Sequence, residues 1–154
     1  MINITVEIEG LERLRQGMER APKIMVDEAS KAIQKSLLVI QNQAMKEAPA
    51  NRQVGLGARL KASFRRKMTS RLSGEVFSIS PYAGYVHEGT RPHTIEVINK
   101  KVLANKRTGQ FFGKKVDHPG TRPNPFMQRA VDKCKTQIND FFLTAIDNVF
   151  NLIR

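Results

Sequence analysis

The chain has 154 residues, 40% of them hydrophobic and 26% charged, which suits a single domain with one modest core and excludes wholesale disorder. There is no apolar run of membrane-spanning length, and a single cysteine, Cys134, excludes an internal disulfide and a cysteine-rich zinc site. The formal net charge of +12 calls for an acidic partner, whether nucleic acid, an anionic surface or an oppositely charged protein, without choosing among them.

Residues 2–8 alternate strictly: Ile2, Ile4, Val6 and Ile8 on one side, Asn3, Thr5 and Glu7 on the other. The pattern predicts a half-buried strand that Gly10 ends. It lacks the basic-then-apolar order of a signal peptide, so a cytosolic product is expected unless it leaves within a larger object. Leu11, Leu14 and Met18 then recur at helical spacing and predict a short helix. Pro22 opens a second helical segment, where its missing N–H costs nothing. Met25, Ala29, Ala32, Ile33, Leu37, Ile40 and Ala44 mark one long amphipathic helix over residues 25–48, with Asp27, Lys31, Gln34, Lys35 and Gln41 on its polar face. Ala48-Pro49 stops it.

Residues 51–59 carry Gly55 and Gly57 among polar side chains and read as a loop. Two strand-like runs follow, 60–69 and 74–80, joined by a hairpin loop longer than the tightest turns. Seven basic residues and no acid fall between Arg52 and Arg71. After Pro81, the segment Tyr82, Ala83, Tyr85, Val86 fits either a helical turn or a short bent strand.

The tetrapeptide Gly-Thr-Arg-Pro then occurs twice, at residues 89–92 and 120–123. Gly supplies unusual φ and Pro fixes φ, so each copy is a turn. Ile95 and Val97 alternate with polar residues, Asn105 to Gly109 signals a turn, and Phe111, Phe112 and Val116 form a return strand. The whole predicts a basic β-hairpin over about residues 91–122, an arm with a matched turn at each foot. Its candidate partner-binding residues are Arg91, His93, Lys100, Lys101, Lys106, Arg107, Lys114, Lys115 and Arg122, set against Glu96 and Asp117. Lysines on an exposed strand also serve simply to discourage unwanted pairing. A hairpin reaching beyond a small core, however, has little reason to be ordered unless something covers it. Asn124-Pro125 caps and opens a last helix, whose stripe is Phe126, Ala130, Cys134, Ile138, Phe141, Ala145, Val149 and Leu152, widened by Phe142, Ile146 and Ile153.

Chemistry has thin support. His87, His93 and His118 could meet as a three-histidine zinc site, but no acidic cluster backs them. Hydrolase elbows and phosphate-binding glycine loops are missing, and neither a catalytic, a metal nor a cofactor site is assigned. Phe64, Phe77, Tyr82, Tyr85, Phe111 and Phe112 near basic residues keep a nucleic-acid-binding module as the alternative function, though most sit at alternating strand positions where core packing is the ordinary use.

Ala48-Pro49, the glycine-containing loop, Leu60-Lys61-Ala62-Ser63-Phe64, Tyr82-Ala83-Gly84-Tyr85-Val86-His87-Glu88-Gly89-Thr90 and Asn124-Pro125-Phe126-Met127-Gln128-Arg129-Ala130 together resemble the tail-component family of long-tailed bacteriophages. The resemblance covers about residues 1–135. Its most specific part is the Tyr-Ala to Gly-Thr segment. The chain departs from the family where Gly57 stands one residue too far from Leu60 with no preceding Thr, and where His87-Glu88 replaces Glu-x. The resemblance implies a non-enzymatic structural protein of the virion neck that completes the tail or joins it to the head. It implies a ring of copies, commonly sixfold, made in the bacterial host cytoplasm. Its partners would be itself and neighbouring neck and tail-tube proteins, with acidic surfaces fitting the basic arm; non-specific contact with passing DNA stays open. The implied fold is α+β: an antiparallel or mixed sheet packed against the long helix of the N-terminal half, with the C-terminal helix alongside.

Overall fold

The structure is a computed structural model describing residues 11–49, 56–98, 102–105 and 108–153, with backbone only at 11–14, 56–58 and 153. The alternating segment 2–8 lies outside the described residues, as do Lys100, Lys101, Lys106 and Arg107. The fold is α+β: a long helix in the N-terminal half, a C-terminal helix and small antiparallel sheets.

Helix α1 (Leu11–Glu47) runs without a break through Pro22. The sequence predicts two helices here; the chain makes one, at the expense of a hydrogen bond to the Met18 carbonyl that Pro22 cannot donate. It packs antiparallel against α4 (Phe126–Ile153), to which Glu28 is tied through Asn148 and Glu47 through Lys133. The inner face of α1 is not the predicted stripe throughout. Met25 is exposed, while Glu28 and Ser36 are buried beside Ala32, Leu37, Ala44 and Ala48. Both turn their polarity inward because it is satisfied there: Ser36 Oγ donates to the Ala32 carbonyl, and Glu28 accepts from Lys31 and from Asn148 Nδ2. Small residues on both sides (Ala32 and Ala44 against Ala130, Cys134 and Ala145) let the helices sit close. Cys134 is one of these packed small residues, and burial pushes its thiol pKa up.

Helix α2 (Leu56–Lys61) occupies part of the predicted loop and also takes Leu60 and Lys61 from the predicted strand. The following β1 (Phe64–Ser70) and β2 (Ser73–Ser78) form an antiparallel hairpin lying on α1. Its loop is shorter than predicted, only Arg71 and Leu72, because Ser70 Oγ accepts from the Leu72 N–H and the Thr69 and Ser70 hydroxyls each hydrogen-bond Ser73. Ala83 to Val86 proves helical, within α3 (Ala83–Glu88), and Tyr82 is its N-cap residue.

The core gathers where these elements meet. Phe64 and Phe126, each 1% exposed, stack edge to face at 5.8 Å, with Ala44, Ala48, Leu60, Ala83 and Ala130 around them. Burying two phenylalanines contributes about 2–3 kcal/mol apiece, and the aromatic geometry about 1 kcal/mol more. His87 of α3 lays its ring edge-on to Phe126 at 5.2 Å, which fixes α3 over the core.

Candidate assembly interface

From α3 the chain leaves as the arm and returns to α4. Strand β3 (His93–Glu96) pairs antiparallel with β6 (Lys115–His118), and β4 (Leu103–Ala104) with β5 (Phe111–Gly113). The Val97 N–H donating to the Lys114 carbonyl links the two ladders. The arm is thus a nested hairpin, interrupted where Gly113 takes φ 83°. Its turn closes between Asn105 and Gln110 around Gly109 at φ 70°.

The repeated tetrapeptide explains how the arm is held. Its two copies face each other: the Thr90 N–H donates to the Thr121 carbonyl and the Thr121 N–H to the Thr90 carbonyl, both at 3.0 Å. Gly89 and Gly120 sit at φ 77° and 85°. A Cβ on Gly89 would overlap the Thr121 carbonyl oxygen and lie 2.8 Å from the Pro123 nitrogen; a Cβ on Gly120 would overlap the Thr90 carbonyl oxygen in the same way. Each glycine is therefore required by the other copy's backbone; Pro92 leads into β3 and Pro123 towards α4. One step further the Asn124 N–H donates to the His87 carbonyl. Asn124 does not use its side chain on the helix backbone; its Oδ1 accepts from Arg129, which also reaches Glu47. The foot of the arm is so wired to the α1–α4 pair through Asn124, Arg129, Glu47 and Lys133. Hydrogen bonding by Lys133, and less by Gln43 and Arg129, holds the Glu47 carboxyl below the usual carboxylate pKa.

Beyond the clasp the arm packs mainly on itself; none of its four strands packs extensively on α1, α4 or the β1–β2 hairpin. Both strands of the β3–β6 ladder are open to solvent, Ile98 is 93% exposed and Phe111 is 73% exposed. Of the predicted partner-binding residues, Arg91, His93, Lys114, Lys115 and Arg122 are described, and all are exposed. Lys115 is partly neutralised by Glu96 at 3.2 Å; Arg91, Lys114 and Arg122 make no ion pair among the described residues. Arg91 and His93 join Tyr85, which is 66% exposed, around an open concavity of about 640 Å³ between α3 and the arm.

The histidines do not converge on one point. His93 and His118 stack at 5.0 Å, each with Nδ1 engaged to local backbone, at the Arg91 carbonyl and the Gly120 N–H respectively. His87 instead faces Phe126, its Nε2 buried and unpartnered. Among the described residues no group of three or more metal-ligating side chains comes together, and no described helix is long and apolar enough to cross a membrane.

Sequence reasoning overlooked two surfaces. One is the far edge of α4, where Phe142, Leu143, Ile146 and Phe150 are exposed although Phe142 and Ile146 read as a widened core stripe. The other is a groove between α1 and β1, lined by Lys35, Leu37, Leu38, Arg66, Lys67 and Met68; the basic run before Arg71 was its only sequence signal. Comparison with protein-family models, curated proteins and solved structures returns no match.

Proposed function

We propose that the chain is a structural subunit of the bacteriophage neck, completing the tail or joining it to the head by assembling into a ring; the family resemblance implies a ring that is commonly sixfold. The arm makes the contacts between subunits or rings, and no reaction is catalysed. The observation that carries this reading is a clasped arm whose tip-side apolar residues, Ile98 and Phe111, and cations, Arg91, Lys114 and Arg122, are left uncovered or unpaired among the described residues. Large exposed apolar side chains beside unneutralised charge suit an interface. The α4 edge adds a second exposed apolar face.

The test is deletion of residues 100–106. The shortened protein should keep its fold by circular dichroism and fail to complete particles; normal particle assembly would refute the role of the arm. Phe111 standing exposed near Lys114 also suits base stacking on a positive strand, so a DNA titration over a range of salt decides the alternative, a nucleic-acid-binding module. Tight binding by the free protein with a steep salt slope favours that module. Presence in purified virions at fixed stoichiometry favours the ring.

A further inference from the structure

The groove along β1 is an unfinished sheet edge with a polarity of its own. The Ile79 N–H donates to the Ser63 carbonyl, which makes that pair a hydrogen-bonded one. Alternation along the antiparallel register puts the next such pairs at Arg65↔Phe77 and Lys67↔Glu75. The backbone N–H and C=O of Phe64, Arg66 and Met68 therefore face away from β2. At Phe64 this outward carbonyl is taken by Gln41 Nε2; at Arg66 and Met68 the edge is open above the groove. The groove holds about 390 Å³. Its floor is apolar, from Leu37, Met68 and Leu38, which is 42% exposed, and its rim is basic, from Lys35, Arg66 and Lys67 with Glu75 the one acid beside Lys67.

Residues 2–8 have the complementary chemistry. Their apolar side, Ile2, Ile4, Val6 and Ile8, needs an apolar floor. Their charge is negative, since Glu7 and Glu9 are the only charged side chains among residues 1–9 of a chain that is otherwise strongly basic. Added beside β1, such a strand would set alternate isoleucines on Leu37 and Leu38 and turn Glu7 to the face that carries Arg65 and Lys67.

Reach decides whose strand it is. The hairpin is fixed along α1 between Asp27, paired with Arg71 at 2.7 Å, and Gln41, bonded to Phe64, so the groove lies level with Gln34 to Leu38. From Leu11 to Gln34 along a continuous helix is about 35 Å. Residues 2–10, fully extended, span about 30 Å at most, and only residues 9 and 10 separate Ile8 from the helix. A chain's own strand cannot lie in its own groove. We infer that residues 2–8 pair with β1 of a second copy, a head-to-tail exchange that closes into a ring when the rotation allows. This rests on reading the chain as a self-assembling subunit, and it adds a contact independent of the arm.

The experiment uses full-length chains in a Cys134→Ala background, which removes the only native thiol. Differently tagged Ile4→Cys and Leu38→Cys chains are mixed and oxidised. A disulfide between the two tags is the expected result, as is a ladder of covalent multimers from the Ile4→Cys/Leu38→Cys double variant. Glu7→Lys should lower the cross-linked yield about two- to fivefold, and Arg65→Glu in the receiving chain should restore part of it. A double variant that stays monomeric with its thiols joined to each other overturns the exchange. Oligomers by light scattering with no cross-link overturn it too but leave the ring reading standing. A monomer at every concentration also overturns it, and the ring is then decided separately by mass measurement on particles.

Discussion

Gly89→Ala should undo the clasp at the foot of the arm without unfolding the core. At Gly89 the backbone has φ 77° and ψ −176°, a region essentially reserved for glycine, and a side chain there is strained by about 1–3 kcal/mol. The added Cβ also overlaps the Thr121 carbonyl oxygen and crowds the Pro123 nitrogen, both backbone atoms that no rotamer change can move. The clasp opposing this strain consists of two N–H···O bonds between Thr90 and Thr121, worth about 1 kcal/mol each in net terms. Torsion and overlap together exceed what the bridge holds, so the two copies part. The cost is then capped near the bridge's own worth, about 2 kcal/mol, or about thirtyfold faster amide hydrogen exchange at Thr90 and Thr121. Amides in the α1–α4 pair should keep their protection. Gly113→Ala is the control: φ is 83° but nothing lies within 4 Å, so only torsional strain enters and exchange at Thr90 and Thr121 stays as in the parent. Unchanged protection at both threonines in Gly89→Ala, or equal effects from the two substitutions, would refute the reasoning.

Pro22→Ala should restore the donor that α1 lacks and stabilise the protein by up to about 3 kcal/mol; a urea midpoint that does not rise would show that the proline is not a strained helix interior. Glu47→Gln should flatten the acid side of the stability profile. The Glu47 pKa is lowered in the folded protein, chiefly by Lys133, so its contribution is complete above the ordinary carboxylate pKa and is lost as pH falls through the lowered folded value. Denaturation midpoints measured from neutral to acid pH should therefore converge for parent and variant at the acid end; a constant gap down to low pH contradicts the assignment.

Much of this was legible in the residues, for identifiable reasons. The clasp could be read because two identical turn tetrapeptides flank a region of alternating hydrophobicity, and the tip because Asn105 to Gly109 carries turn residues. The terminal helix was clear because its apolar spacing continues for seven turns after Asn124-Pro125. The break expected at Pro22 failed because helix on both sides, with α4 packed along the C-terminal part, outweighs one missing bond. The strand expected from Leu60 starts only at Phe64, because Ser63 turns the chain there: its N–H and hydroxyl both donate to the Leu60 carbonyl. Burial of Glu28 was hidden because, besides its helix neighbour Lys31, the carboxylate needs Asn148, a partner 120 residues away, to enter the helix interface. The β1 groove was hidden for a similar reason. Helical spacing puts Leu37 on the inner stripe and leaves Leu38 off it, but only the position of the hairpin sets Leu38 beside an open strand edge.

The net charge of +12 bears on how such surfaces can be completed. Like-charged copies repel at long range, and at physiological salt that repulsion is screened beyond about 8 Å. Association of identical chains then depends on short-range contacts that bring opposite charge or apolar area together. The chain supplies both, but in separate places. In sequence Glu7 and Glu9 precede α1, while Lys35, Arg66 and Lys67 belong to the middle of α1 and β1, and the exchange proposed above would bring the two sets together between copies. Self-complementary charge placed out of intramolecular reach favours pairing between copies over closure within one. The arm has no comparable acidic counterpart among its own described residues once Glu96 is bound to Lys115 and Asp117 accepts from Thr94. On the proposed reading, its remaining cations would meet a different, acidic surface, with the groove serving contacts around a ring and the arm contacts from that ring to its neighbours.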